Sequence, residues 1–140
     1  MKIKKFDHTV LTTAPPEKIW CAWTDVERWP EWDSELVSAT LDGSFALGTK
    51  GRVKPKRGPA ARFSISELIP GKSYTFTTRL PLCEVKVSRR LTRNDGGGAF
   101  FTHVVSFVGP LSLVFGNLLG RRYRQVLPVV MENLRKTAES

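Results

Sequence analysis

The feature that most narrows the fold of this chain is a run of short β-patterned segments with no space between them for a helix. Candidate strands 36–42, 49–55, 61–69, 73–80, 83–93 and 99–108 follow one another directly. The breaks carry Asp42-Gly43, Arg57-Gly58-Pro59, Pro70-Gly71, Pro81 and Asn94-Asp95-Gly96-Gly97-Gly98, all turn formers. Parallel neighbours need a crossover of about a dozen residues or more, so these strands must pair antiparallel, most simply as a meander. Residues 111–138 change period. Leu119, Tyr123, Val126, Val130 and Leu134 recur every three to four residues, and Leu127 and Met131 widen the stripe. Arg121, Arg124, Gln125, Glu132, Arg135, Lys136 and Glu139 fall opposite, with Glu132 and Lys136 a favourable i,i+4 pair. Pro128 removes one backbone bond and predicts a kink, but the stripe stays in phase across it, so a single bent helix is expected. The architecture is therefore α+β: a curved antiparallel sheet closed over a long C-terminal helix.

The first third supplies the remaining elements. Residues 3–13 mix β-branched and polar residues and predict a strand, with Phe6/His8/Val10 and Lys5/Asp7/Thr9/Leu11 competing for the inner face. Ala14-Pro15-Pro16-Glu17 opens a helix, since proline costs nothing in a first turn and Glu17 suits the positive helix end. Ile19, Trp20, Trp23 and Val26 give it an apolar stripe, and Trp29-Pro30-Glu31-Trp32-Asp33 ends the helical region. The expected order is strand, helix, short helix, six strands, long helix. With no repeat or linker, residues 1–140 read as one domain, long enough to bury a core without staples.

These residues resemble a known family. Ala14-Pro15-Pro16-Glu17-Lys18-Ile19-Trp20, Asp25 and Trp29-Pro30-Glu31-Trp32 look like the N-terminal signature of the polyketide cyclase/dehydrase-like proteins of the START/Bet v 1-like (SRPBCC) superfamily. Thr78-Arg79-Leu80-Pro81-Leu82 is similar to the central hairpin of that family. Val105-Ser106-Phe107-Val108-Gly109-Pro110-Leu111 resembles its last strand entering the long helix, and Leu127-Pro128 its kink. The resemblance covers nearly the whole chain. It implies a helix-grip fold, in which a seven-stranded sheet wraps the long helix around a deep cavity for lipids, hormones or polyketides. It carries over no catalytic residues, because no short motif marks them across the group, and fold analogy is a poor guide to reaction.

Composition bounds the function further. Residues 1–20 begin MKIKKF but then alternate polar and apolar, unlike an export signal, and Leu111–Leu119 is too short to span a bilayer; a cytoplasmic protein is expected. Cys21, on an apolar helix, and Cys83, in a strand, are expected to be buried free thiols. Two histidines and two cysteines without ligand spacing exclude an evident zinc motif. The glycine run 96–98 precedes no helix, so it is no phosphate loop, and no cofactor is expected. The net charge of +9 is concentrated in part on Lys50, Arg52, Lys54, Lys56, Arg57 and Arg62 of one hairpin and on Arg121, Arg122 and Arg124. A solvated basic face is the plain reading. Nucleic-acid binding is disfavoured because the hairpin has only Phe63 beside it for stacking, whereas an anionic membrane surface fits a lipid-carrying protein. Monomer and homodimer remain equally open.

Alternation on strand 83–93 puts Cys83, Val85, Val87, Arg89 and Leu91 on one face. If the valines face inward, so does Arg89, which then escapes to water, pairs with an internal carboxylate such as Glu67, or binds an anionic oxygen of a ligand. On 99–108, Phe101, His103, Val105 and Phe107 share a face, and His103 is either a satisfied core residue or a general acid or base. Phe63, Ile65 and Glu67, with Tyr74, Phe76 and Thr78 and with Tyr123 and Met131 from the helix, are expected to line a mainly apolar pocket, although core packing alone predicts the same set. Trp32, Phe63, Phe76, Val85, Val87, Arg89, Phe101, His103, Leu119, Tyr123 and Met131 form the candidate ligand site, with Trp32 as a wall and Trp29 pinning the short helix. The leading expectation is a protein that binds or carries an apolar or aromatic, lipid- or polyketide-like small molecule. The alternative is a cyclase/dehydratase-type enzyme in which Arg89 stabilises an enolate and His103 moves protons. A third is an interaction protein docking on acidic partners through the basic hairpin.

Overall fold

The computed structural model describes residues 3–140. In chain order the elements are β1 (Ile3–Thr12), α1 (Pro16–Thr24), a 3-10 helix (Val26–Glu31), β2 (Leu36–Leu41), β3 (Lys50–Pro55), β4 (Ala61–Ile69), β5 (Ser73–Leu80), β6 (Cys83–Arg93), β7 (Ala99–Val108) and α2 (Ser112–Glu139). The boundaries expected for the strands and the long helix hold to within one residue. The sheet has seven strands in the order β1-β7-β6-β5-β4-β3-β2, every neighbouring pair antiparallel. It is the expected meander from β2 to β7, with β1 returning to pair with β7.

Register decides which side chains meet. The two-residue connection Pro81-Leu82 pairs Leu80 with Cys83, and from there Tyr74 lies opposite Arg89 and Phe76 opposite Val87. Leu82 takes φ 52°, a strained value for a residue with a Cβ. On the far side of β6, Arg89 faces His103 and Val85 faces Phe107. His103 in turn faces His8 on β1. A row of polar groups, His8, His103, Arg89 and Tyr74, thus crosses four adjacent strands on the inner face. The face of β1 left open by its pattern is settled here: Phe6, His8 and Val10 turn inward because they pair with inward residues of β7.

On β4 the alternation breaks. A bulge between Ile65 and Glu67 leaves Ser66 unpaired, so Leu68 faces Tyr74 and Glu67 faces Thr75. Phe63 and Ile65 are buried as expected, but Glu67 is exposed on the outer face and is not an internal carboxylate. One inserted residue moves every later side chain to the other face.

α2 lies closest to β1 at Gly116 and Gly120. A Cβ at Gly120 would come within 2.1 Å of the Phe6 ring, and one at Gly116 within 2.7 Å of the Lys4 stem. The missing side chains let the helix settle onto the edge strand. Its other end is tied down by Glu139, which accepts hydrogen bonds from Thr12 Oγ1 at 2.7 Å and from the Thr13 N–H at 3.2 Å. The Thr12 bond is the main cause that holds the Glu139 carboxyl below its ordinary range. The helix runs unbroken from Ser112 to Glu139 through Pro128. Among the described residues no helix is long and apolar enough to cross a membrane.

Candidate functional site

Arg89 is the most unusual residue of the gripped face. It is a guanidinium with 4% of its surface exposed, and none of the ion pairs among the described residues includes it. Four aromatic rings surround it instead: its Cζ lies 4.8 Å from the Trp29 ring centre, 5.1 Å from Trp32, 5.1 Å from Phe76 and 5.7 Å from Tyr74. One nitrogen, Nη1, donates to the Tyr74 hydroxyl at 2.5 Å. A buried charge carries a desolvation penalty of several kcal/mol, and cation–π contacts of about 0.5–2 kcal/mol each recover much of it. The hydrogen bonding is nevertheless incomplete. Arg89 Nε and Trp32 Nε1 are both buried donors without a protein acceptor. Burial pushes the Tyr74 hydroxyl up to about 12, against the pull of Arg89, so it stays neutral and supplies no countercharge to the arginine.

His103 is the second buried polar group, 1% exposed. Trp23 Nε1 donates to its Nε2 at 3.1 Å, so the ring is an acceptor at Nε2 and carries its proton on Nδ1. Burial, helped by the neighbouring charges of Arg89 and His8, holds its pKa well below the ordinary histidine value. It is a neutral imidazole at physiological pH, with Nε2 engaged by Trp23. Asp33, half-buried at the end of the 3-10 helix, is shifted upward by burial, against the opposing pull of the Glu35 N–H and Arg89. Close by, Arg122 of α2 bonds Glu35 at 2.5 Å and ties the helix to the segment before β2.

The expected site residues divide into two neighbouring groups. Trp32, Phe63, Phe76, Phe101 and Met131 belong to the larger aromatic core around Arg89 and His103. Val85 and half-buried Tyr123 belong to a smaller cluster with Phe6, Phe107 and Leu127, where the Phe107 and Tyr123 rings lie 5.9 Å apart. Val87 touches both groups. Leu119 is a correction: it is 39% exposed, because α2 turns Gly116, Gly120 and Tyr123 toward the sheet and the buried stripe starts one residue later than its apolar periodicity implies. Cys21 is also exposed, on the outer side of α1, whereas Cys83 is buried as expected. Arg89 is buried and does not meet Glu67; the carboxylate that feels its charge is Asp33, without an ion-pair contact among the described residues.

The sequence put Tyr74 among the inner, pocket-lining residues but did not set it beside Arg89, and it gave Trp29 only the role of pinning the short helix. Tyr74 was legible in principle, because the tight turn at Pro81-Leu82 sets it opposite Arg89. Trp29 was not: which tryptophan pins the helix and which lines the site depends on where the 3-10 segment docks, and both stack on Arg89. The side chains expected to line a cavity pack on one another, with Trp29 stacked on Phe63 at 5.6 Å. Two open clefts flank them. One, of about 410 Å³, lies between β1 and α2 and is lined by Phe6, His8, Arg124, Leu127 and Pro128 among others. The other, of about 490 Å³, includes Thr75, Ser88, Arg90, Val104 and Ser106 of the outer sheet face.

The pattern of the family described as "Polyketide cyclase / dehydrase and lipid transport" matches residues 4–139. The chain belongs to this family. Its fold is similar to that of Ara h 8.0201, with a TM-score of 0.76 at 15% identity over 98% of each chain. It is also similar to a norcoclaurine synthase point mutant from Thalictrum flavum in complex with a transition-state analogue, with a TM-score of 0.73 at 10% identity over 98% of this chain and 94% of that one. The truncated form of that synthase gives 0.72 at 10% identity, over 97% and 93%. At these identities the likeness is one of fold, the Bet v 1-like helix grip. No curated protein sequence matches the chain.

Proposed function

We propose that this family member binds and carries an apolar or aromatic small molecule on the gripped face between the sheet and α2. The carrying observation is Arg89: a buried cation cased in aromatic rings, in no ion pair among the described residues, is the kind of polar group that orients a ligand in an otherwise apolar site. A catalytic role for His103 has less support, because its Nε2 is engaged by Trp23 and protonation is disfavoured by burial. The test is native mass spectrometry of the purified protein before and after exposure to an organic extract of its source cells. A discrete bound mass is expected, lost in Val87→Trp, which fills the junction of the two clusters. No bound mass in either sample, from cooperatively folded protein, would refute the reading.

A second reading concerns delivery to an anionic membrane. Val114, Leu118 and Val129 are exposed on one side of α2, Leu118 with 71% of its surface, and Arg121 stands between them. Apolar side chains flanking a cation, on a chain of net charge +9, complement an anionic bilayer. Co-sedimentation with phosphatidylserine-containing vesicles, but not with pure phosphatidylcholine, is expected, and Leu118→Glu should abolish it. Equal behaviour with both vesicle types would sink the idea.

A further inference from the structure

The geometry points to a carboxylate as the polar end of the ligand, held between Arg89 Nε and Trp32 Nε1; this inference rests on the small-molecule reading above. Three observations converge. Both nitrogens are buried donors without a protein acceptor, and they belong to side chains in contact, with Arg89 Cζ 5.1 Å from the Trp32 ring centre. A donor pair of this kind asks for an acceptor, and a guanidinium asks for an anionic one. No carboxylate is in ion-pair contact with Arg89 among the described residues; Asp33 lies near enough to feel its charge but makes no bond to it, and the one acceptor of Arg89, Tyr74, stays neutral. The surrounding rings of Trp29, Phe76 and Tyr74 supply an apolar wall for the body of the ligand.

The alternative head groups fit less well. A cation would meet Arg89 directly, at a cost in a region screened from water. A dianionic phosphate would bury a second negative charge for which the site has no second cation, which is expensive. An alcohol or ketone would take the hydrogen bonds but leave the guanidinium charge unmatched. The site therefore favours a monoanionic amphiphile that enters with its carboxylate leading.

The experiment compares two probes of nearly the same shape, 2-naphthoate and 2-naphthylmethanol, by titration calorimetry at pH 7. Tryptophan fluorescence provides a second signal, because Trp29 and Trp32 both border Arg89. The acid should bind roughly 10- to 100-fold tighter than the alcohol, as expected for charge-assisted hydrogen bonds in a buried site. Trp32→Phe keeps an aromatic side chain but removes the Nε1 donor together with the fused ring, so both probes can lose packing, and the acid should weaken by roughly tenfold more than the alcohol. Arg89→Met should erase the preference altogether. If that variant lacks a cooperative melt, Arg89→Lys takes its place, since it keeps a charge but lacks the Nε–H and should still weaken acid binding. Equal affinity of the two probes for the unaltered protein would overturn the carboxylate assignment and leave the small-molecule reading standing. A preference that survives both Trp32→Phe and the Arg89 variant would place the carboxylate elsewhere. Binding of neither probe would overturn both.

Discussion

Acidification should destabilise this protein well before its carboxylates titrate, and His103 should be the cause. The ring is 1% exposed, its Nε2 accepts from Trp23, and His8 on β1 and Arg89 on β6 face it from either side. Its folded pKa lies well below the ordinary 6.5. The unfolded chain therefore takes up a proton near pH 6.5 that the native state refuses, and stability is lost as the pH falls below that value. The slope can reach at most about 1.4 kcal/mol per pH unit, a sizeable share per unit of a typical total of 5–15 kcal/mol. The range from pH 6.5 to 4.5 is otherwise quiet. Glu17, Glu31, Glu132 and Glu139 are all held below 4.5, so their contribution is lost only below it. Asp33 works in the opposite sense: burial raises its carboxyl pKa, so it favours the folded state as the pH falls. Urea unfolding at half-unit steps from pH 7.5 to 4.5 measures the slope, with Asp33→Asn removing the opposing contribution. His103→Gln retains an acceptor for Trp23 and should flatten the profile, whatever its absolute stability. A slope unchanged by His103→Gln would refute the reasoning.

Gly120→Ala should destabilise the fold by about 1–3 kcal/mol although alanine is the better helix former by about 1 kcal/mol, because the new Cβ meets the Phe6 ring. Phe6→Leu in the same chain should recover part of the loss, a coupling that a double-mutant cycle would register. Thr12→Val should cost about 1–3 kcal/mol and speed hydrogen exchange in the last turns of α2, since it removes the bond to Glu139 and the acceptor of the Ala14 N–H. In the native protein a thiol reagent should label Cys21 quickly and Cys83 only on unfolding, because Cys21 is exposed while burial hides Cys83 and raises its thiol pKa. Rapid labelling of both would contradict this packing.

Much of the architecture was written into the chain itself. Strand breaks at Asp42-Gly43, Pro70-Gly71 and Pro81, with connections too short for crossovers, leave only antiparallel neighbours, and the long amphipathic pattern after Leu111 leaves only a helix to cover them. Alternation on β6 and β7 likewise put Arg89 and His103 on the face of the valines, because strand periodicity is a local property of the backbone. What those two residues experience there was not local. The bulge after Ile65 sent Glu67 outward and away from Arg89, and a bulge depends on how two strands relax against each other. The docking of the 3-10 helix brought Trp29 and Trp32 over the guanidinium and left Trp32 Nε1 and Arg89 Nε without partners. On α2, close approach at Gly116 and Gly120 rotated the buried stripe away from Leu119, a choice between two nearly equivalent helix faces that only the partner strand makes. Periodicity names the face of an element, whereas the partners and charge state of a buried group depend on residues far apart in sequence that meet only when the sheet closes on the helix.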